Sequence, residues 1–493
     1  MRCSATAPSR NPRRRSPPRP LSPSSTCRSS SGSRRTRTAP SPRSSPSAWP
    51  PSRTWCTPDT EAPPTSRGHP GSIRSRSGNG PCSREPISQE ATVATTTLSP
   101  ERTTPTSAPA DTDGRRTRTT PPPPLTNRAP ALDGLRTIAI LAVILYHLHV
   151  PQFEGGFIGV TVFFVLSGFL ITTLLLGERR KTGRIRLGAF WGKRVLRLYP
   201  ALIAFVLVGL ALWNWVGDYK GATFSPGEAA FIALSYTGNL FRSFWDTTQG
   251  VFAHTWSLSM EEQFYLVWPP VLVLLFLVRS RRRWLLAGLG ALIVAASTVS
   301  FLVYEKPNGG ATPDVYFSPV LGVVPLATGC LLALLLDDAR VRRVVAGLAG
   351  HVATWVGLAL LVGIQLWIDG DWTQHASTFG VVLPATGLVS AVLIGGLVSV
   401  RSPVSAALAW TPVSWFGRRV SYSAYLWHPL VIALLSTFAI GAWGKVWLVG
   451  VALLVAVGAA YAVEVPVEKA RKRVREAKRL VAADRSAREH ATT

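Results

Sequence analysis

The chain has 493 residues and a formal charge of +27 at pH 7, yet only 16% of its residues are charged and 47% are hydrophobic. The charge is divided in a way that excludes a nucleic-acid-binding protein. Residues 1–128 supply +14 of it, with 21 Arg, no Lys and 7 acidic residues. The remainder lies in short segments between long apolar runs, which is the pattern of a membrane protein. Cysteine usage excludes a disulfide framework: Cys3, Cys27, Cys56 and Cys82 are scattered through the first segment, Cys330 stands alone in an apolar run, and no pair has metal-ligand spacing.

The first segment, 1–128, holds 24 of the 39 prolines and only six Leu, Ile, Val or Phe residues. So little apolar surface cannot offset the entropy of ordering the chain, so this basic extension is expected to be disordered. It contains no continuous apolar stretch of the secretory-signal kind. It is read either as a basic arm for anionic lipid or nucleic acid or as a dispensable extension, and it contributes nothing to the chemistry below.

From residue 129 to 466 the chain is a succession of apolar runs near spanning length. They fall at about 135–150, 157–176, 198–217, 262–278, 284–304, 316–336, 344–367, 378–400, 421–441 and 446–464. The expected fold is therefore an all-α polytopic membrane protein of about ten transmembrane helices. An eleventh stretch, "PGEAAFIALSYTGNLF" at 226–241, is short and interrupted by Gly, Ser, Thr and Asn. Charge decides whether it spans. If it does not, and both termini are cytoplasmic, the segments 177–197, 279–283, 337–343 and 401–419 lie inside with 18 basic and 3 acidic residues. The opposite loops then carry Lys220, Arg242, Lys306 and Lys445 against eight acids. If 226–241 spanned, every later basic loop would lie outside, against the positive-inside rule. The closing segment, 467–493, sets Val467, Ala470, Val474, Ala477 and Val481 at helical spacing among many Lys and Arg, and reads as a basic cytoplasmic helix on the inner leaflet.

The first span carries residues that are costly in hydrocarbon. In "LDGLRTIAILAVILYHLH" (132–149), Arg136 and His147 are eleven residues apart. At 100° per residue that is about 20° from three whole turns, so both share one helix face, separated by about 16 Å along the axis. A polar stripe of this kind lines a cavity or pathway. His149 faces elsewhere. Further polar motifs follow: "GVTVFFVLSGFLI" at 159–171, "FWGKRVLRLYP" at 190–200 with Lys193, Arg194 and Arg197, "HTWSLSMEEQFYLVWP" at 254–269, "SYSAYLWHPL" at 421–430, and "YAVEVPVEK" at 461–469.

In this order, over about 130–470, these motifs resemble the acyltransferase-3 family of integral-membrane O-acyltransferases. Arg136 and His147 match the family's Arg and His with ten residues between them, Lys193, Arg194 and Arg197 its basic motif, and Trp256 to Tyr265 its "WSLSxEEQFY" stretch. The resemblance implies transfer of an acyl group, such as acetyl, from cytoplasmic acyl-CoA to a hydroxyl of a cell-envelope glycan, glycolipid or metabolite at the plasma membrane. No permanently bound cofactor or metal is expected; acyl-CoA is the donor substrate. His147 is then the candidate general base, because an imidazole titrates near neutrality and can take a hydroxyl proton. Arg136, Glu261 and Glu262 complete the catalytic candidates. Either carboxylate would orient an imidazole or position the acceptor, and Arg136 would hold the donor or bridge the carboxylates. Lys193, Arg194 and Arg197 form a cationic patch suited to the donor's phosphates. Ser167, His254, Trp256, Ser257 and Tyr265 are the substrate-side candidates. Tyr425 and His428 read first as interface anchors. Direct transfer and a transient acyl-histidine are both open.

Two departures stand out. Thr161 occupies the place of an acid in the family's "GVDxFFxxSGF", and Lys193 replaces an Arg and so loses the bidentate fork. No appended hydrolase-like domain is expected. The rival reading is a secondary transporter with His147 and Glu261 as a proton relay. A non-catalytic scaffold would have no use for a co-facial Arg and His.

Overall fold

The computed structural model describes residues 129–491 apart from short breaks at 218–220, 246, 277–280, 305–312, 369–376 and 439–440. The expected disorder of 1–128, and several of the acidic loop residues weighed above, lie outside the described residues.

Among the described residues there are helices and no strands. In hydrocarbon a backbone must satisfy its own hydrogen bonds, and the helix does this within one segment. The order is α1 (Pro130–His147), α2 (Ile158–Thr182), α3 (Leu187–Ala211), the single turn α4 (Trp213–Val216), α5 (Pro226–Leu234), α6 (Gly238–Trp245), α7 (Trp256–Leu275), α8 (Arg281–Tyr304), α9 (Pro319–Leu336), α10 (Ala339–Val345), α11 (Leu348–Trp367), α12 (Leu383–Ser399), α13 (Pro403–Ala409), α14 (Thr411–Arg419), α15 (Ser421–Leu435), α16 (Gly441–Ala459) and α17 (Val465–Ala491). Eight helical stretches are long and apolar enough to cross a membrane. The two other expected spans fall on α7, which carries Glu261, Glu262 and Gln263, and α15, which has 15 residues; neither is among those eight.

The segment 226–241 is not one helix. It folds as α5, nine residues, and α6, eight residues, so each is about 12–14 Å long and far short of a ~30 Å hydrocarbon core. The break falls at Ser235–Thr237, where Tyr236 has a left-handed φ of 54°. A capping box between Ser225 and Glu228 starts α5. Paired amides then hold the unit against α7: Gln263 Nε2 donates to Asn239 Oδ1 at 2.8 Å and to the Tyr236 carbonyl at 2.9 Å.

Two boundaries differ from expectation. α3 begins at Leu187, not near 198, so Lys193, Arg194 and Arg197 stand on its first turns rather than in a loop. The apolar run alone marks only the later part of the helix, because its first turns are basic. The last span and the basic tail are also continuous: α16 runs through a π-helical turn, Ala460–Glu464, directly into α17. α17 reaches α3 where Arg471 Nη2 donates to the Lys193 carbonyl at 3.3 Å, and Glu468 pairs with Arg419 of α14.

Helices α2, α9 and α12 are the most enclosed, whereas α8, α11 and α16 present most of their surface outward. Side chains such as Leu207, Leu266, Leu274, Leu360 and Leu454 are exposed on the outer faces. Such an apolar girdle is a liability in water and a solvent-matched surface in lipid. α2 and α9 meet through small residues. A Cβ at Gly168 would strike the Leu326 carbonyl, and one at Gly329 would strike the Val165 carbonyl, so glycine at both positions lets the two backbones touch. α1 crosses α14 in the same way at Gly417, beside the 2.6 Å hydrogen bond from Thr137 Oγ1 to the Val413 carbonyl.

Replacing Gly168 or Gly329 by Ala is expected to destabilise the fold by roughly 1–3 kcal/mol, because backbone atoms and not a flexible side chain must give way. Gly177→Ala on α2, with open space around it, serves as control. Thermal unfolding in detergent should show a lower midpoint for the first two only, and equal midpoints in all three variants would contradict this packing.

Candidate functional site

Proline on α7 shapes the inner end of the site. Pro269 has no N–H to give the Tyr265 carbonyl four residues earlier, and that carbonyl instead accepts from Trp191 Nε1 of α3 at 3.0 Å. α3 is thereby fixed beside α7 with Arg194 over the ring of Tyr265, 3.4 Å from its centroid, and 3.7 Å from the Glu262 carboxylate. Next to this pair, Glu261 accepts from Ser167 Oγ of α2 at 2.8 Å and from the Tyr265 hydroxyl at 3.2 Å. Arg136 of α1 lies 5.7 Å from the centroid of Phe163 and within electrostatic reach of both Glu261 and Glu464. Glu464, on the π-turn, accepts from Ser423 Oγ of α15 and also faces Arg197 and Arg419. One polar cluster thus joins Arg136, Ser167, Arg194, Glu261, Glu262, Tyr265 and Glu464 from four helices and the π-turn.

The C-terminal end of α1 carries a second cluster. His147 Nδ1 bonds the Val143 carbonyl at 2.8 Å, His254 Nδ1 the Val251 carbonyl at 3.2 Å, and His428 Nδ1 the Ala424 carbonyl at 3.0 Å. A carbonyl only accepts, so each of these bonds places a proton on Nδ1, and a neutral ring then keeps its lone pair on Nε2. The three rings come together, with centroids 5.0 Å apart for His147 and His428 and 5.8 Å for His254 and His428. Tyr425 supports them. Its hydroxyl donates to the His254 carbonyl at 2.8 Å and therefore accepts from Ser257 Oγ at 2.5 Å. Trp256 closes one side, its ring 4.8 Å from that of Tyr316.

The expected residues therefore fall into two groups on opposite ends of the α1 stripe. Arg136, Ser167, Arg194, Glu261, Glu262 and Tyr265 are together at one end; His147, His254, Trp256 and Ser257 are together at the other. Lys193 and Arg197 are exposed, and Arg197 is within electrostatic reach of Glu464. Three expectations change. Arg194 does not stand with Lys193 and Arg197 as a surface phosphate ligand, since Tyr265 and Glu262 hold it. Glu261 engages Ser167 and Tyr265, and Glu262 engages Arg194, while His147 is oriented by its own helix backbone. His428, read as an interface anchor, is fully buried between two other histidines. Its place beside them was hidden because those two rings are 281 and 174 residues away in sequence. Glu464 was passed over as a site residue, although a carboxylate closing an apolar span is itself a signal. His149, set aside earlier, is exposed, and its carbonyl accepts from Lys445. No group of three or more His, Cys, Asp or Glu among the described residues is arranged to hold a metal.

Comparison with known proteins decides the family. The model of the acyltransferase domain family matches residues 130–465, which takes in both clusters. The chain belongs to the acyltransferase-3 family. It is 33% identical over 317 residues to a Bacillus subtilis protein provisionally named a peptidoglycan O-acetyltransferase, covering 62% of this chain and 49% of that one. It is 32% identical over 322 residues to the peptidoglycan O-acetyltransferase OatA of Listeria monocytogenes, covering 62% and 49%. The chain spans about half the length of these curated relatives. No solved structure matches it.

Arg194 offers a direct test of the inner cluster. Arg194→Lys keeps the charge but loses the flat face over Tyr265, and such stacking contributes about 0.5–2 kcal/mol. The unfolding free energy in detergent should fall by about that amount, lowering the thermal midpoint, and an unchanged midpoint would contradict the stacked geometry.

Proposed function

We propose that this protein is a membrane O-acyltransferase that moves a short acyl group, acetyl first among them, from cytoplasmic acyl-CoA to a hydroxyl of a cell-envelope glycan, with peptidoglycan the leading acceptor. The observation that carries the reading is His147: a ring whose Nδ1 is committed to the Val143 carbonyl, on the same helix face as Arg136, within a family of acyltransferases. The names of the relatives support an acetyl group and a peptidoglycan acceptor.

In the proposed reaction His147 Nε2 takes the proton of the acceptor hydroxyl as its oxygen attacks the thioester carbonyl. The C–O bond forms, the C–S bond breaks, and the CoA thiolate leaves with the proton that His147 returns. His428 and His254 pack against His147 and hold its ring in place, and the Ser257–Tyr425 pair holds His254. With both termini inside, the basic first turns of α3 face the cytoplasm, and Lys193 and Arg197 meet the donor's phosphates there. Arg136 lies between that entrance and the reaction centre. Glu261 and Glu262 fix the guanidinium of Arg194 and the Ser167 and Tyr265 hydroxyls that line the route. Cys330 is buried in an apolar cluster and takes no part.

Mass spectrometry of envelope glycans from strains with and without the gene should show an ester that is lost on deletion and restored by the wild-type protein. His147→Ala should lower transfer by about 10²–10⁴-fold while membrane insertion is unchanged. Glycans esterified to the same level in the deleted strain, or normal transfer by the variant, would overturn the assignment.

A further inference from the structure

α17 carries more positive charge than the rest of the protein answers. Between Val465 and Val481 stand seven Lys or Arg and two Glu. Glu468 pairs with Arg419 and Lys472, and Arg471 Nη2 donates to the Lys193 carbonyl of α3. Lys469, Arg473, Arg475, Lys478 and Arg479 are exposed and enter no ion pair among the described residues. Lys469 and Arg473, Arg471 and Arg475, and Arg475 and Arg479 are each four residues apart. Like charges at that spacing repel along one helix face, so α17 is opposed by its own charge and relieved by a negative surface.

The same helix has an apolar stripe. At 100° per residue, Val467, Ala470, Val474, Ala477 and Val481 fall within about 50° of one line. Val474 is 54% exposed and Val481 57%, so the protein leaves the stripe open. Arg473 and Lys478 flank it, each about 70° to one side, whereas Arg475 and Arg479 lie behind it, about 130–170° away. Arg471, which ties α17 to α3, is about a quarter turn from the stripe, so that contact does not cover it.

A second copy of the chain is a poor occupant of this face. The alternating three- and four-residue spacing is that of a coiled-coil seam, but a parallel pair along it would set Arg473 of one chain against Lys478 of the other. An anionic bilayer meets both the stripe and its cations, and it is already at hand, because α17 continues α16 through the π-turn without a break. Small apolar side chains enter the boundary between headgroups and acyl chains while the flanking cations reach phosphates.

We propose that the Val474 face of α17 is a binding site for anionic phospholipids of the inner leaflet, with Arg473 and Lys478 as its phosphate ligands. The site goes beyond acyl transfer and does not depend on it. Through Arg471 it also ties the first turns of α3 to the leaflet.

The test is native mass spectrometry of the full-length protein in detergent micelles that hold equal amounts of phosphatidylglycerol and phosphatidylcholine. Both adducts are counted in one spectrum, and residues 1–128 are present in every variant, so their charge does not affect the comparison. The wild type should retain phosphatidylglycerol over phosphatidylcholine. A cation near an anionic surface contributes roughly fivefold to binding, so Arg473→Gln with Lys478→Gln should lower that ratio by about tenfold or more. Arg475→Gln with Arg479→Gln removes the same charge from behind the stripe and should change the ratio by less than about threefold. Ala477→Leu widens the stripe and should raise phosphatidylglycerol retention by about threefold or more, a gain that misfolding does not produce. Equal losses in the two double variants would mean a diffuse charge effect and overturn the site. So would a wild type without preference between the lipids, or a dimer that the first double variant abolishes.

Discussion

Inside a bilayer a polar side chain has to be answered by other groups of the same protein, and the placement of α7 depends on this constraint. Pro269 leaves the Tyr265 carbonyl without its helical donor, and Trp191 of α3 supplies one. That contact sets Arg194 over Tyr265 and against Glu262, and it leaves Glu261 to Ser167 of α2. Once α7 is held between α2 and α3, its first turn carries Trp256 and Ser257 to the far end of the bundle, where they meet Tyr425. The histidine cluster thus stands where it does because a proline-induced gap two turns along the same helix has been closed.

This arrangement also explains why the chemistry is spread over the length of α1. Arg136 and His147 share a face, and each end of that face is surrounded by a different kind of environment. Near Arg136 are carboxylates, hydroxyls and guanidinium groups from several helices. Near His147 are imidazoles and aromatic rings, with hydrogen bonds mostly to the backbone. Under the proposed function, the first environment would meet a charged donor and the second would hold the base. The glycine contacts between α2 and α9 serve the same end, since close approach of these two backbones brings Thr161 and Phe164 up to Leu321 and Trp256.

Much of this was legible in the sequence, and the remainder was not for identifiable reasons. The apolar runs marked the long helices from α1 to α16, and loop charge together with internal Gly, Ser, Thr and Asn separated 226–241 from them. The co-facial pair on α1 needed only the period of a helix. The start of α3 was missed because basic residues break the apolar run without breaking the helix. His428 was undervalued and Glu464 passed over because their partners arrive from distant helices, which no local spacing reveals. The His147 Nδ1 bond to the Val143 carbonyl was not foreseen for a different reason: a carbonyl four residues back is within reach of an imidazole on a helix, and sequence alone does not choose it.

The central claim is that one helix face links a donor site on one side of the membrane to a reaction centre deeper in the bundle. Sealed liposomes containing the protein, sorted by orientation, test it most directly, with labelled acetyl-CoA on the side of the basic α3 turns and the glycan acceptor on the other. Labelled ester should accumulate on the acceptor while the donor stays enclosed, and it should fail to form when the donor is supplied from the acceptor side alone. Equal transfer from either side, or ester formed only after the vesicles leak, would contradict the account.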